Sequence, residues 1–180
     1  GNHASTRVFH WAQGWAPAWQ GDLRGALIKL ESAVDAAAAA PNTMLQLYAL
    51  LVQGYTRASL GDSDGAQASD EASLSAAADL MEFFEGLGYS TAAVAYQAAG
   101  DDEAATRAYA AARERAGINR MMGGVFSLSA LAPLACGDLA TARKWADDVI
   151  EIVGGCYVSA ARGARAQGML AQGDTDGAER

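Results

Sequence analysis

"CGDLATARKWADDV", residues 136–149, holds Gly137-Asp138 with Ala142 five places after the glycine. The same three marks stand at Gly21-Asp22-Ala26, Gly61-Asp62-Ala66, Gly100-Asp101-Ala105 and Gly173-Asp174-Ala178, and the chain has no other Gly-Asp pair. The glycines step by 40, 39, 37 and 36 residues. A period of this size marks stacked repeat units. Glycine tolerates the left-handed conformation that ends a helix. Aspartate directly after it can accept from the free N–H groups that open the next one. Each mark therefore predicts a helix stop followed at once by a helix start, a tight αα-turn repeated five times. Asp64, Glu103 and Asp176 add negative charge in the first turn after it, where the helix dipole favours it. No Glu or Gln stands three places after any of these aspartates, so the caps are one-sided rather than reciprocal boxes.

The helix before each turn carries a small residue seven places ahead of the glycine: Gly14, Gly54, Ala93, Ala130 and Ala166. It is always 12 residues from the alanine of the following helix. Two antiparallel helices joined this tightly must cross closely, and residues no larger than Ala let their axes approach to about 8–10 Å. With 43 Ala in 180 residues, an accidental Ala at all five places has odds of about one in a thousand, so the repeat is the better reading.

Composition agrees. The Ala content, only 3 Pro and unclustered β-branched residues favour helices over strands. Hydrophobic residues make up 51 % of the chain, enough for a sizeable core. The net charge of -8 with no run of Lys or Arg argues against direct nucleic-acid contact. Two isolated cysteines, Cys136 and Cys156, make no disulfide framework and point to a reducing, cytoplasmic setting. No apolar run reaches the roughly 20 residues of a membrane span, and the N-terminus lacks a signal peptide's apolar stretch. The missing initiator Met, and an end at Arg180 just inside a new unit, lead us to expect a fragment of a longer protein.

These spacings resemble the tetratricopeptide repeat, in which a small residue of helix A is followed 12 places later by Ala in helix B, then by a large residue at plus four and a small one at plus seven. Ala26, Leu30 and Ala33 fit, as do Ala105, Tyr109 and Ala112. The second unit departs, with Asp70 and Ser73 in those places, and the fourth has Ala146 and Val149. The period is longer than the family's 34 and its Pro is absent. The expected fold is all-α, an α-α superhelix of about five tetratricopeptide-like helix pairs in one domain over 1–180. The units are expected at about 5–39, 43–85, 87–116, 119–153 and 156–180, the last truncated. Helix A is expected over about 5–20, 43–60, 87–99, 119–136 and 156–172, and helix B over about 22–39, 62–85, 101–116, 138–153 and from 174. Breaks are expected at Pro41-Asn42, Gly86-Leu87-Gly88, Gly117 and Gly154-Gly155. Such a stack buries each unit only against its neighbours.

Chemistry-bearing motifs are scarce. There is no phosphate-binding loop. His3 and His10, the two histidines, have no second ligand at metal spacing and read as structural. Cys136 abuts a turn glycine; Cys156 opens a helix, where a thiol pKa can fall, yet no basic neighbour supports a nucleophile. The adjacent carboxylates Asp147-Asp148 and Asp101-Asp102-Glu103 point in different directions on a helix and read as solvated surface. No catalytic residue, cofactor or metal is expected, and an enzyme is the weakest reading.

Trp11, Trp15 and Trp19 recur every four residues and make one stripe on the first helix A; Tyr48, Leu51 and Tyr55 do the same on the second. In the tetratricopeptide register several of these positions line the concave, ligand-holding face. Two readings stay open. Trp11, Trp15, Trp19, Tyr48 and Tyr55 form a groove for a partner or an apolar small molecule, or they are core or pack against a helix outside this chain.

"LACGDLATARKWADDVI" (134–150), "GGCYVSAARGARAQGMLAQGDTDGAER" (154–180) and "GYSTAAVAYQAAGDDEAATRAYAAARERA" (88–116) resemble the helical-repeat region of actinobacterial LuxR-family regulators of the large, MalT-like type. The resemblance implies an ATP-binding module and a helix-turn-helix DNA reader outside this chain. It also implies that the repeat region senses a small-molecule inducer or a protein partner, with self-association as a further option. No residue here matches the family's ATP-binding or DNA-reading motifs. A stand-alone protein–protein interaction scaffold is the alternative.

Overall fold

The computed structural model describes residues 13–18, 20–39, 42–78, 80, 82–115, 130–152 and 157–178. Its helices follow from the turns. At each Gly-Asp pair the glycine has φ between 76° and 84°, and these five glycines are the only positive-φ residues among those described. The aspartate N–H donates back to the carbonyl five residues earlier, at 2.8–3.0 Å: Asp22 to Pro17, Asp62 to Arg57, Asp101 to Tyr96, Asp138 to Pro133 and Asp174 to Met169. The glycine N–H donates to the carbonyl three residues back, as Gly61 does to Ala58 at 3.0 Å. This pair of bonds is the Schellman closure of a helix end.

The aspartate then opens the next helix. Its Oδ1 accepts from the N–H three residues on: Asp22 from Gly25 (3.0 Å), Asp62 from Gly65 (3.0 Å), Asp101 from Ala104 (2.9 Å), Asp138 from Thr141 (3.1 Å) and Asp174 from Gly177 (2.9 Å). The alanine at plus five donates the first helical bond, to the aspartate carbonyl, at 2.9–3.2 Å. Each such cap is worth about 1 kcal/mol.

The elements are α1 (described over 13–18), α2 (Leu23–Ala39), α3 (Thr43–Ser59), α4 (Ser63–Ala77), α5 (Glu82–Ala98), α6 (Asp102–Arg115), α7 (Leu131–Ala135), α8 (Leu139–Ile152), α9 (Tyr157–Ala171) and α10 (Thr175–Ala178). No strand occurs among the described residues. Odd-numbered helices are the A helices and even-numbered ones the B helices. α3 packs on α2, α4 and α5; α5 also packs on α4, α6 and α7; α7 packs on α8 and α9, and α9 on α8 and α10. Each A helix thus touches its own B helix and the A helix of the next pair, the nearest-neighbour pattern of a solenoid.

Burial separates the two kinds of helix. α3 is buried at every position from Leu47 to Gly54, because helices surround it. α2 buries only Ala26, Leu30, Ala33 and Ala37, one stripe at helical spacing. The same offsets from the turn are buried in α4, α6 and α8: Ala66, Asp70 and Ser73; Ala105, Tyr109 and Ala112; Ala142, Ala146 and Val149. Among the small residues of the A helices, Gly14, Gly54, Ala93 and Ala130 are buried and Ala166 is half-buried.

Two expectations are corrected. Gly86-Leu87-Gly88 is not a break, and the second and third units do not divide at 85/87. α4 ends at Ala77, α5 starts at Glu82, and all three residues lie buried inside α5. A Cβ on Gly88 would stand 2.8 Å from Leu74 Cδ2, so a close approach of α4 explains glycine there. In the first two pairs the small residue also does not face the alanine 12 places on. A Cβ on Gly14 would meet Leu30 Cδ2 at 2.7 Å, and one on Gly54 would meet Asp70 Oδ1 at 2.5 Å. The contact lies one turn beyond the alanine. The expected breaks at Gly117 and Gly154-Gly155 lie outside the described residues, while Asn42 caps α3 by accepting from Leu45 N–H at 3.1 Å.

Candidate functional site

Two members of the aromatic stripe, Trp15 and Tyr48, reach the structure as core. Trp15 is 4 % exposed and Tyr48 9 %; both join Leu30, Leu47, Leu51, Phe84 and Leu87 in one cluster, with Tyr55 packed half-buried against it. Tyr48 meets Phe84 of α5 edge to face, ring centroids 6.3 Å apart. Burial pushes the Tyr48 hydroxyl up to about 12. Of the two readings the sequence left open, Trp15 and Tyr48 therefore follow the core one: rings on successive A helices cover each other where pairs meet. Trp11 and Trp19 lie outside the described residues. Phe84 escaped the sequence reading because a single helix over 62–85 puts it on the wrong side of the turn.

A second feature sits where the second unit departs from the pattern. Asp70 is 3 % exposed, and neither carboxyl oxygen has a hydrogen-bond partner. Around this level of α3, α4 and α5 stand further buried polar side chains: Gln53, Thr56, Ser69, Ser73, Ser90 and Thr91. Their hydroxyls are committed elsewhere. Ser69 donates to Gln53 Oε1 (3.1 Å), Ser73 to the Asp70 carbonyl (2.8 Å), Ser90 to Gly86 (3.0 Å) and Thr91 to Gly88 (3.0 Å). Desolvation pushes the Asp70 carboxyl up to about 8, against a smaller downward pull from the nearby Thr91 hydroxyl.

Tyr109 and Asp138 link the third pair to the fourth. The Tyr109 hydroxyl donates to Asp138 Oδ2 at 2.7 Å while Asp138 Oδ1 caps α8. That hydroxyl is the main cause holding Asp138 below the ordinary carboxylate range. The Tyr109 hydroxyl itself rises to about 12, chiefly through burial. Cys136 lies close by, its Sγ 3.7 Å from the Ala105 carbonyl. Burial, and secondarily the charge of Asp102, raise its pKa, which disfavours the thiolate a nucleophile needs. Cys156, His3 and His10 lie outside the described residues.

An open cleft of about 420 Å³ runs between α8, α9 and α10, lined by Ile150, Arg162, Arg165, Ala166 and Met169 with Gly177 and Ala178. Arg165 is engaged by Asp147 at 3.2 Å. Among the described residues no group of three His, Cys, Asp or Glu is placed to hold a metal ion. No described helix is long and apolar enough to cross a membrane.

No protein-family profile matches the chain. Sequence relatives do. The chain is 33 % identical over 164 residues to proteins described as HTH-type transcriptional regulators in Mycobacterium tuberculosis and Mycobacterium bovis. The match takes in 89 % of this chain but 18 % of each relative, so the chain spans less than a fifth of their length. Among solved structures it is similar to the crystal structure of a kinesin light chain with nearly identical TPR-like repeats from Podosopora anserina: TM-score 0.57, 17 % identity, 99 % of this chain and 92 % of that one covered. A point variant of that protein gives a TM-score of 0.55 at 16 % identity over the same shares. The fold is therefore that of tetratricopeptide-like repeats, and the chain is a helical-repeat segment related to part of a group of transcriptional regulators.

Proposed function

We propose that this chain is the partner- or ligand-sensing repeat module of a cytoplasmic transcriptional regulator of the LuxR, MalT-like type, with ATP-binding and DNA-binding parts elsewhere in the protein. The observation that carries the reading is the 33 % identity, along nearly the whole repeat array, to HTH-type transcriptional regulators. Resemblance of three stretches of the sequence to actinobacterial members of that family supports the finer assignment. The module is non-enzymatic and needs no cofactor of its own. It receives a protein partner or a small-molecule inducer on the concave face, which the A helices line in the tetratricopeptide register. Among the described members of the aromatic stripe, Tyr55 keeps surface for such a contact. The fold equally suits a stand-alone interaction scaffold, since tetratricopeptide-like surfaces serve as docking faces without regard to what flanks them.

Charge supports the division of labour. At -8 with no basic stripe, the module itself should not hold DNA. Fluorescence anisotropy with duplex DNA at near-physiological salt should detect no sub-micromolar, salt-sensitive binding by this chain, and such binding would refute the assignment. The positive arm is a promoter reporter driven by the full-length protein. Replacing this segment with an unrelated repeat array should abolish the response to inducer and leave promoter occupancy intact. An unchanged response would favour the scaffold reading.

A further inference from the structure

Asp70 occupies the place held by Leu30, Tyr109 and Ala146 in the neighbouring pairs, and all four are buried. Gly54, opposite it on α3, leaves no room for a Cβ beside the carboxyl: the 2.5 Å separation means that the carboxyl fills the glycine's space. A buried carboxylate keeps its charge only with a cation or several donors around it. Neither is present. On α3 the ionisable side chains are Tyr48, Tyr55 and Arg57. Arg57, the only cation on the three helices, donates to the Gly65 carbonyl (3.1 Å) and to Glu31 (3.2 Å), and lies 3.9 Å from Asp62. On α4 the other two acids, Asp64 and Glu71, are exposed. On α5 Glu85 pairs with Arg115 at 3.1 Å, Tyr89 stacks under the same arginine, Tyr96 is half-buried, and the Glu82 side chain lies outside the described set. No charge among these contributes to the state of Asp70; burial and the Thr91 hydroxyl do.

We propose that Asp70 makes the junction of α3, α4 and α5 a proton-controlled joint: the three helices close on the neutral carboxyl, and release of its proton to solvent loosens them, so the seam between the second and third helix pairs responds to pH. The geometry favours a joint over a rigid core. α4 carries Asp70 and Ser73 at the buried offsets where α2 carries Leu30 and Ala33, with buried Ser69 beside them. Beside the apolar cluster, α5 brings Gly88 close to Ser73 and Leu74 and sets Thr91 near the Asp70 carboxyl.

The sign of the effect follows from the direction of the shift. The folded-state carboxyl titrates above its unfolded value, so its stabilising contribution is complete at low pH. That contribution is lost as pH rises from the ordinary carboxyl value of 3.8 to about 8. Across that window the folding constant should fall about tenfold per pH unit on account of this one group. Carbon-13 NMR of the Asp70 carboxyl in the 180-residue chain should show a midpoint raised well above 3.8, toward about 8. Hydrogen exchange in peptides from α4 and α5, corrected for intrinsic pH dependence, should accelerate as pH rises. Asp70→Leu, with Leu30 against Gly14 as its structural precedent, should remove both the pH slope of stability and the pH-dependent exchange. A carboxyl midpoint left at the ordinary 3.8, or a wild-type pH slope retained in Asp70→Leu, would overturn the proposal. The NMR titration needs no variant, so it decides even if the substituted chain misfolds.

Discussion

The first and second helix pairs share one backbone register and fill it with opposite chemistry. In the first, Gly14 faces Leu30; in the second, Gly54 faces Asp70, at nearly the same separation. Leu30 is 0 % exposed and Asp70 3 %, so the repeat grants the carboxyl no more water than the leucine. The turns around them are alike, each closed by a positive-φ glycine and capped by the following aspartate. What differs is the effect on stability: burying Leu30 contributes about 1.5–3 kcal/mol, while burying an unpaired carboxyl opposes folding. The turn and the small residue opposite decide where the side chain goes. They do not decide what it is. A repeat can therefore carry a destabilising residue at a core position without losing its shape, because the neighbouring pairs supply the missing stability.

The largest effect should come from moving the second pair's chemistry into the first. Leu30→Asp should destabilise the chain near neutral pH by about 3–5 kcal/mol, the usual loss when a buried charge has no partner. Urea melts would measure it, and the loss should shrink on acidification. An unchanged midpoint would mean that the register at Leu30 yields to water, unlike that at Asp70.

A smaller effect tests whether the shared register extends along the array. Ala105 and Ala142 are 1 % and 0 % exposed, at the offset of Ala26 and Ala66. Ala105→Leu and Ala142→Leu should each lower stability by about 1–3 kcal/mol through overpacking. Wild-type denaturation midpoints in both would show that the third and fourth pairs are packed more loosely than the first two.

The smallest effect concerns the acid that, unlike Asp70, is satisfied. Asp138 accepts from Tyr109 and from Thr141, and its carboxyl sits below the ordinary range. Its contribution is therefore present above the unfolded carboxylate value and is lost as pH falls, the reverse of Asp70. Tyr109→Phe should cost about 1 kcal/mol near neutral pH and let the Asp138 carboxyl titrate higher. Calorimetry at neutral and acid pH would register a deficit that narrows on acidification; a deficit equal at both would assign the loss to packing instead.

Much of this is legible in residue spacing. Gly-Asp-x-x-x-Ala locates all five turns, because only glycine accepts the positive φ without strain and only a short acceptor side chain can follow it and cap the next helix. These are local requirements, met within six residues of chain. The exceptions fail for the same reason in reverse. Gly86 and Gly88 look like a break because glycine is ambiguous: it serves a turn, or it admits a neighbouring helix. Only the approach of Leu74 shows that Gly88 does the second. The aromatic stripe is equally ambiguous, since helical spacing places Trp15 and Tyr48 on one face but does not say what covers that face.

Asp70 lies between these cases. Its departure from the repeat pattern is visible in the sequence, where it takes the place of Leu30. Its isolation is not, because a carboxyl at that offset could have met an arginine. Residue order is enough to set the repeat, its turns, its caps and its buried offsets, since backbone conformation and bonds between near neighbours produce them. The assembled helices add that Trp15 and Tyr48 are core, that Gly88 is a contact, and that Asp70 is buried with no cation beside it. Burial and desolvation depend on which helix from a distant part of the chain comes to lie against each residue.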